Sequence, residues 1–202
     1  FGLNNPDIEK YASPVLCLGP CEASVCEMAS GYTTFVNHGI RCAPLFVTKI
    51  EDSHGNVIAK FQPLMNEVIS EDNSYKMIGM LQGVVDGGTG SRLRYAFNIR
   101  NEVGGKTGTT NNNSDGWFMG FTHQLVNGCW VGGDDRDIHF DNMSLGQGAT
   151  MALPIWAYYM QLVYADKRLG YSPSAKFKIP AGFDPCSVSD STAVNGIQEI
   201  YQ

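Results

Sequence analysis

Positive charge is scarce in this chain. Its 202 residues hold 14 Lys and Arg against 20 Asp and Glu, a formal net charge of −6. A protein that gathers nucleic acid needs a basic field over one face, so no nucleic-acid partner is expected. Long hydrophobic runs are missing as well. The most apolar window, residues 151–165, is interrupted by Pro154 and Gln161 and falls short of the roughly 20 residues that cross a bilayer. It reads as a core helix, with no membrane span. The first ten residues, FGLNNPDIEK, have no initiator methionine, basic n-region or apolar stretch, so neither a secretory signal nor an anchor is expected in them. The chain reads as a piece of something longer.

Metal and phosphate motifs are absent too. The six cysteines (Cys17, Cys21, Cys26, Cys42, Cys129, Cys186) include no CxxC pair, and the four histidines (His38, His54, His123, His139) form no HExxH. No metal centre is expected; buried free thiols and surface-loop histidines are. A Walker A loop needs a glycine, four further residues, then GK and a hydroxyl residue. Gly105-Lys106-Thr107 supplies the end of that pattern, but Arg100 stands where its first glycine belongs. The run DGGTGS at residues 86–91 fails GxGxxG spacing and reads as a helix stop and turn.

What is present is an ordinary globular composition, 43% apolar and 17% charged, in a length that suits one main core. Residues 22–37, EASVCEMASGYTTFVN, put Val25, Met28, Ala29, Tyr32 and Val36 at helical spacing, with Gly39 as the stop. LFVTKIEDSHGNVIAKF, residues 45–61, sets two β-rich runs around DSHGN, a hairpin with glycine in its turn. SYKMIGMLQGVV, residues 74–85, returns to the helical period and stops at Asp86-Gly87-Gly88. GKTGTT, GWFMGFT and LVNGCWVGG then read as three successive antiparallel strands. Pro154 takes the N1 position of a closing helix, IWAYYMQLVYADK, with an apolar stripe and a basic last turn. The organisation is one domain over residues 1–181 and a polar tail over 182–202. Helices, a meander and a covering helix give the class α+β, an antiparallel sheet covered by helices.

The chemistry sits in GGKTGTTNNNSDGWFMG, residues 104–120. On a strand, period-two alternation puts Thr107 and Thr109 on one side, where two hydroxyls can serve one ligand carboxylate. Gly108 between them has no Cβ and lets a ligand backbone approach as an added strand would. Lys106 supplies positive charge for an anionic substrate and for holding a neighbouring hydroxyl ready for proton transfer. Alternation sends it to the side opposite the threonines. The backbone N–H of Thr109 is a natural oxyanion donor. On these residues alone, a purely structural strand and a substrate-gripping one remain equally open.

The neighbouring segments favour the second. LQGVVDGGTGSRL, GGKTGTTNNNSDGWFMGFT, GCWVGGDD and LGQGATMALPIWAYYM follow in this order, with CEASVCEMASGYTTFVNHGI upstream. Together they resemble the C-terminal half of the transpeptidase domain of class A penicillin-binding proteins, of the 1A type, over roughly residues 11–167. The resemblance implies part of the penicillin-binding transpeptidase fold, which is serine β-lactamase-like. It implies a bifunctional parent anchored at the periplasmic face of the inner membrane by a segment outside this chain. One domain of such a parent, a glycosyltransferase, polymerises lipid II; the other cross-links peptidoglycan stem peptides ending in D-Ala-D-Ala and binds β-lactams. Lys106 is then catalytic and Thr107, Gly108 and Thr109 bind substrate, the threonines meeting its carboxylate. Asp115 and Trp117 match a DxWF segment with a structural role. No metal or diffusible cofactor is implied.

That family works with a serine in SxxK and a second in SxN, both ahead of KTG. No serine here has lysine three residues on or asparagine two residues on. Ser91-Arg-Leu-Arg94 offers an arginine, which cannot act as a base at neutral pH, and Ser74-Tyr-Lys76 has the wrong spacing. The expectation is a fragment that grips substrate without a nucleophile. The alternative is a split or degenerate binding module, completed by a partner chain or by self-association through its uncovered apolar surface.

Overall fold

The computed structural model of the chain describes residues 1–4, 14, 16, 19 and 21–184. Helix α1, Val25–Val36, opens on a reciprocal cap. The Ser24 hydroxyl accepts from Glu27 N at 3.2 Å, and the Glu27 carboxylate accepts from Ser24 N at 2.9 Å. The helix stops where His38 and Gly39 turn to positive φ, 55° and 89°. A Cβ on Gly39 would fall 2.0 Å from the Ile69 carbonyl oxygen, so the turn requires glycine.

Strand β1, Ile40–Cys42, pairs antiparallel with β4, Met65–Glu67. Between them β2, Lys49–Glu51, and β3, Val57–Lys60, make the anticipated hairpin, with Gly55 at φ 85° in its turn. Helix α2, Glu71–Asp86, starts three residues before the apolar period does, because the Ser70 hydroxyl accepts from Asn73 N and Glu71 and Asp72 favour the positive end of the helix dipole. A short α3, Arg92–Tyr95, leads to β5, Gly104–Thr109, then β6, Asp115–Phe121, and β7, Val126–Gly132. These three form one antiparallel sheet in the order β5-β6-β7. A single turn, α4, Met143–Gly146, precedes α5, Gly148–Ala165.

The sheet lies between two helical layers. On one face Phe118 packs against Trp156 of α5, rings 5.3 Å apart at 74°, within a core shared with Val85, Leu93, Val103 and Leu153. On the other, Phe121 joins Phe35 of α1 and Tyr75, Ile78 and Leu81 of α2. Alternation along β6 makes this division, since odd and even residues face opposite sides. The antiparallel α+β organisation read from the sequence is the one observed.

Three expectations need correction. Pro154 is not at N1: α5 begins at Gly148 and Pro154 lies inside it. The proline costs the intrahelical bond to the Thr150 carbonyl, and packing of the small first turn on the sheet outweighs that loss. The basic residues Lys167 and Arg168 fall outside α5, in a 3₁₀ turn that the Asp166 carboxylate caps. The described cysteines are free but not buried: Cys21, Cys42 and Cys129 are half-buried and Cys26 is exposed. Cys26 is on the solvent side at the start of α1, while Cys129 lies mid-strand in β7 opposite Phe118 and packs only partly against the α5-side core. Cys17 and Cys186, and the tail from residue 185 on, lie outside the described residues. All four histidines are in turns or loops, as anticipated.

Glycines set the distance between α5 and the sheet. A Cβ on Gly120 would meet the Trp156 ring at 2.4 Å; one on Gly148 would lie 2.3 Å from Gly108 O and 2.4 Å from Trp117 O. The second obstacle is backbone and cannot turn away. Gly148→Ala is expected to destabilise the fold by about 1–3 kcal/mol, the usual cost of overpacking, read as a lower urea midpoint at unchanged m-value.

Candidate functional site

Strand β5 is one edge of the sheet, and its register fixes the direction of each group. Lys106 pairs with Met119, Thr107 with Phe118, Gly108 with Trp117 and Thr109 with Gly116. Cross-strand partners share a face, so Thr107 and Thr109 stand on the α5 side with Phe118, and Lys106 on the opposite side. The backbone alternates as well. Thr110 N donates to Asp115 O on β6, which places the backbone groups of Thr107 and Thr109, three and one residues back, toward the open edge.

Each side chain has a partner. The Thr109 hydroxyl oxygen accepts from Gly148 N, the first N–H of α5, at 3.0 Å. The Thr107 hydroxyl is 2.7 Å from that of Thr89. The exposed Lys106 folds back along the strand, its Nζ donating to Thr107 O at 2.7 Å. A Cβ on Gly108 would meet the Trp117 Cβ at 3.1 Å, so this glycine serves the packing of β6 whatever else it admits.

Thr89 was not singled out in the sequence, where DGGTGS reads only as a stop. The run does end α2, but it also delivers a hydroxyl to β5. Gly88 N and Gly90 N both donate to Val84 O, at 3.1 and 2.9 Å, folding the loop onto the last turn of the helix. Arg94 braces it from beyond. Its Nε and Nη2 donate to Asp86 Oδ1 at 3.0 and 2.6 Å, and its Nη1 to Ile99 O and Asn101 O at 2.8 and 2.7 Å. One guanidinium thus ties the end of α2 to the segment that enters β5. The aspartate and arginine flanking the glycines were the available signal.

Asp115 is held by scaffold partners, and Trp117 pairs with Gly108 on β5 and Trp130 on β7. The Asp115 carboxylate accepts from Trp130 Nε1 at 2.9 Å, while Asp115 N donates to the Thr110 hydroxyl at 2.9 Å and closes the turn between β5 and β6. Neither serine that imitates SxxK is placed as a nucleophile. Ser74 is fully buried in α2, its hydroxyl donating to Glu71 O; Ser91 opens α3 with Arg92 and Arg94 as its basic neighbours. Burial pushes the Cys129 thiol up, which keeps it protonated and weakly nucleophilic at neutral pH. A cleft lined by Phe97, Arg100, Asn101, Gln161 and Tyr164 lies away from β5 and includes none of its residues. Among the described residues no cluster of His, Cys, Asp or Glu could hold a metal ion, and no helix is long and apolar enough to cross a membrane.

The family model described as the penicillin binding protein transpeptidase domain matches residues 11–132. The chain belongs to this family. Among its relatives, penicillin-binding protein 1A of Aquifex aeolicus is 38% identical over 162 residues, 80% of this chain and 21% of that protein. The Rickettsia conorii penicillin-binding protein 1A is 30% identical over 218 residues, 95% of this chain and 25% of its own length. The crystal structure of penicillin-binding protein 1A from Haemophilus influenzae aligns with a TM-score of 0.71 at 26% identity, covering 84% of this chain and 30% of that one. PonA1 of Mycobacterium tuberculosis shares the fold with a TM-score of 0.68 at 24% identity, over 83% of this chain and 44% of that one. The chain therefore spans only a fifth to a quarter of the length of such curated relatives.

Arg94→Met keeps the stem of the side chain and removes its charged hydrogen bonds. The expected loss is about 1.5–3 kcal/mol, the worth of a charged hydrogen bond, measured by urea unfolding.

Proposed function

We propose that this chain is the substrate-gripping part of a peptidoglycan D,D-transpeptidase, carrying the KTG strand of the site without its SxxK nucleophile or SxN serine. The observation that carries the reading is the state of the two threonine hydroxyls. Both lie on one face of an edge strand, and each oxygen is already engaged by the scaffold, Thr109 by Gly148 N and Thr107 by Thr89. A hydroxyl whose oxygen accepts keeps its hydrogen to donate, as Thr109 does here, and the Thr107 hydroxyl on the same face makes with it a pair suited to one carboxylate.

A stem peptide ending in D-Ala-D-Ala, or a β-lactam, would lie along the open edge of β5. The outward Thr107 carbonyl accepts from its amide, once Lys106 Nζ leaves that oxygen. The outward Thr109 N–H donates to the developing oxyanion. Gly108 leaves the approach clear. Lys106, freed, is the catalytic group of the strand, its charge steadying the hydroxyl that relays the proton. The nucleophilic serine comes from outside this chain, as it acts with its lysine and the SxN serine as a unit. The name of the relatives, penicillin-binding protein 1A, supports β-lactams as ligands of the complete protein. On this reading the complete protein works in the cell envelope, on the periplasmic side of the inner membrane.

A second reading, a binding module completed by a partner chain, is favoured by one feature. Ile155, Tyr158, Tyr159 and Leu162 are 46–71% exposed and recur on the outward side of α5 at the spacing of one helix face. Co-purification of an SxxK-bearing polypeptide with this chain is the outcome that reading requires.

Intact mass before and after incubation with excess benzylpenicillin tests the main proposal. No change is expected for this chain alone; the gain of one penicilloyl group would mean that a serine outside the known motif is activated. In a protein that joins this chain to an SxxK-bearing segment, Thr107→Val is expected to slow acylation roughly 10- to 100-fold, the worth of one hydrogen bond to a charged group. Equal rates would remove Thr107 from the site.

A further inference from the structure

We propose that Thr89 is a positioning residue for the β5 grip: its hydroxyl donates to Thr107 and so turns the Thr107 hydrogen outward, toward the carboxylate of the bound acyl ligand. The inference rests on the carboxylate-binding reading of Thr107 and deepens it.

The two hydroxyl oxygens are 2.7 Å apart, a separation at which one donates and the other accepts. Each threonine has a single hydroxyl hydrogen. Were Thr107 to donate to Thr89, nothing would remain on Thr107 for an anion. With Thr89 donating, the Thr107 oxygen is filled and its own hydrogen is free. An arriving carboxylate selects the second arrangement, since a charge-assisted hydrogen bond is about twice as strong as a neutral one, and a hydroxyl that already accepts is polarised into a better donor. Thr109 has the same arrangement with a donor that cannot reverse, the backbone N–H of Gly148.

Thr89 is exposed, yet its loop is not loose. Gly88 N and Gly90 N bind Val84 O on one side, Ser91 N binds Gly88 O on the other, and Arg94 clamps Asp86 to Ile99 O and Asn101 O beyond. A Cβ on Gly88 would sit 2.9 Å from the Val84 Cα and carbonyl oxygen, so the loop is pressed directly on the helix end. A hydroxyl held this way meets Thr107 without further ordering, which is what preorganisation of a binding group requires.

The test uses the complete transpeptidase in which this chain is joined to its SxxK-bearing segment. Second-order acylation rates are measured with benzylpenicillin and with its methyl ester, which lacks the anionic carboxylate. Wild type is compared with Thr89→Val, Thr89→Ala, Thr89→Ser and Thr107→Val. Thr89→Val and Thr89→Ala are expected to slow benzylpenicillin roughly three- to tenfold, the worth of one neutral hydrogen bond. Their rates with the ester and their Tm stay at wild-type values, and Thr89→Ser restores the benzylpenicillin rate. Unchanged rates with benzylpenicillin, or equal slowing with both compounds, would reduce Thr89 to a loop residue and overturn the inference. If Thr107→Val slows only benzylpenicillin while the Thr89 variants do not, the inference alone fails. If wild type itself makes no distinction between acid and ester, the carboxylate reading of β5 fails with it.

Discussion

No side-chain atom fits between the first residue of α5 and the sheet beneath it. Gly148 lies against the backbone oxygens of Gly108 and Trp117, and this close approach governs the rest of the molecule. It brings the first N–H of α5 within reach of the Thr109 hydroxyl, so the contact that packs the helix also orders one of the two hydroxyls of the KTG strand. It sets the depth at which Trp156 meets Phe118 and Gly120, and with it the core on that face. Interiors are packed too densely to absorb a methyl group at such a point without moving backbone.

The second hydroxyl is ordered from the other end of the fold. The α2 terminus, the glycine loop and the Arg94 guanidinium form one braced unit. That unit uses the polar leftovers of helix termination, the unsatisfied carbonyls of the last turn, to place Thr89 beside β5. Two scaffold elements, one meeting Thr107 and the other Thr109 of a six-residue strand, thus fix the surroundings of its side chains. The strand carries the polar groups, and α2 and α5 set their geometry.

Much of this was legible residue by residue. The 3.6-residue period marked α1 and α2, alternation and turn residues marked β2, β3 and the β5-β6-β7 meander, and alternation alone put Lys106 opposite Thr107 and Thr109. These are local properties, written within a few residues of one another. The pairing of β1 with β4 was not legible: each is three residues long, and Ile40 meets Glu67 across the whole hairpin. The start of α5 was hidden because proline is a strong local signal for a first turn, and only the packing of Gly148 on the sheet overrides it.

The sequence by itself determined α1, α2, the β2-β3 hairpin, the β5-β6-β7 meander, the α+β class, the family and the identity of the groups on the KTG strand, because periodicity and motif spacing survive without a third dimension. The tertiary structure alone decided which partners those groups meet. Thr89 and Thr107 are 18 residues apart, and Thr109 and Gly148 are 39 apart. A hydrogen bond is decided by tenths of an ångström and by direction, and no pattern along the chain carries that information until the helices have packed.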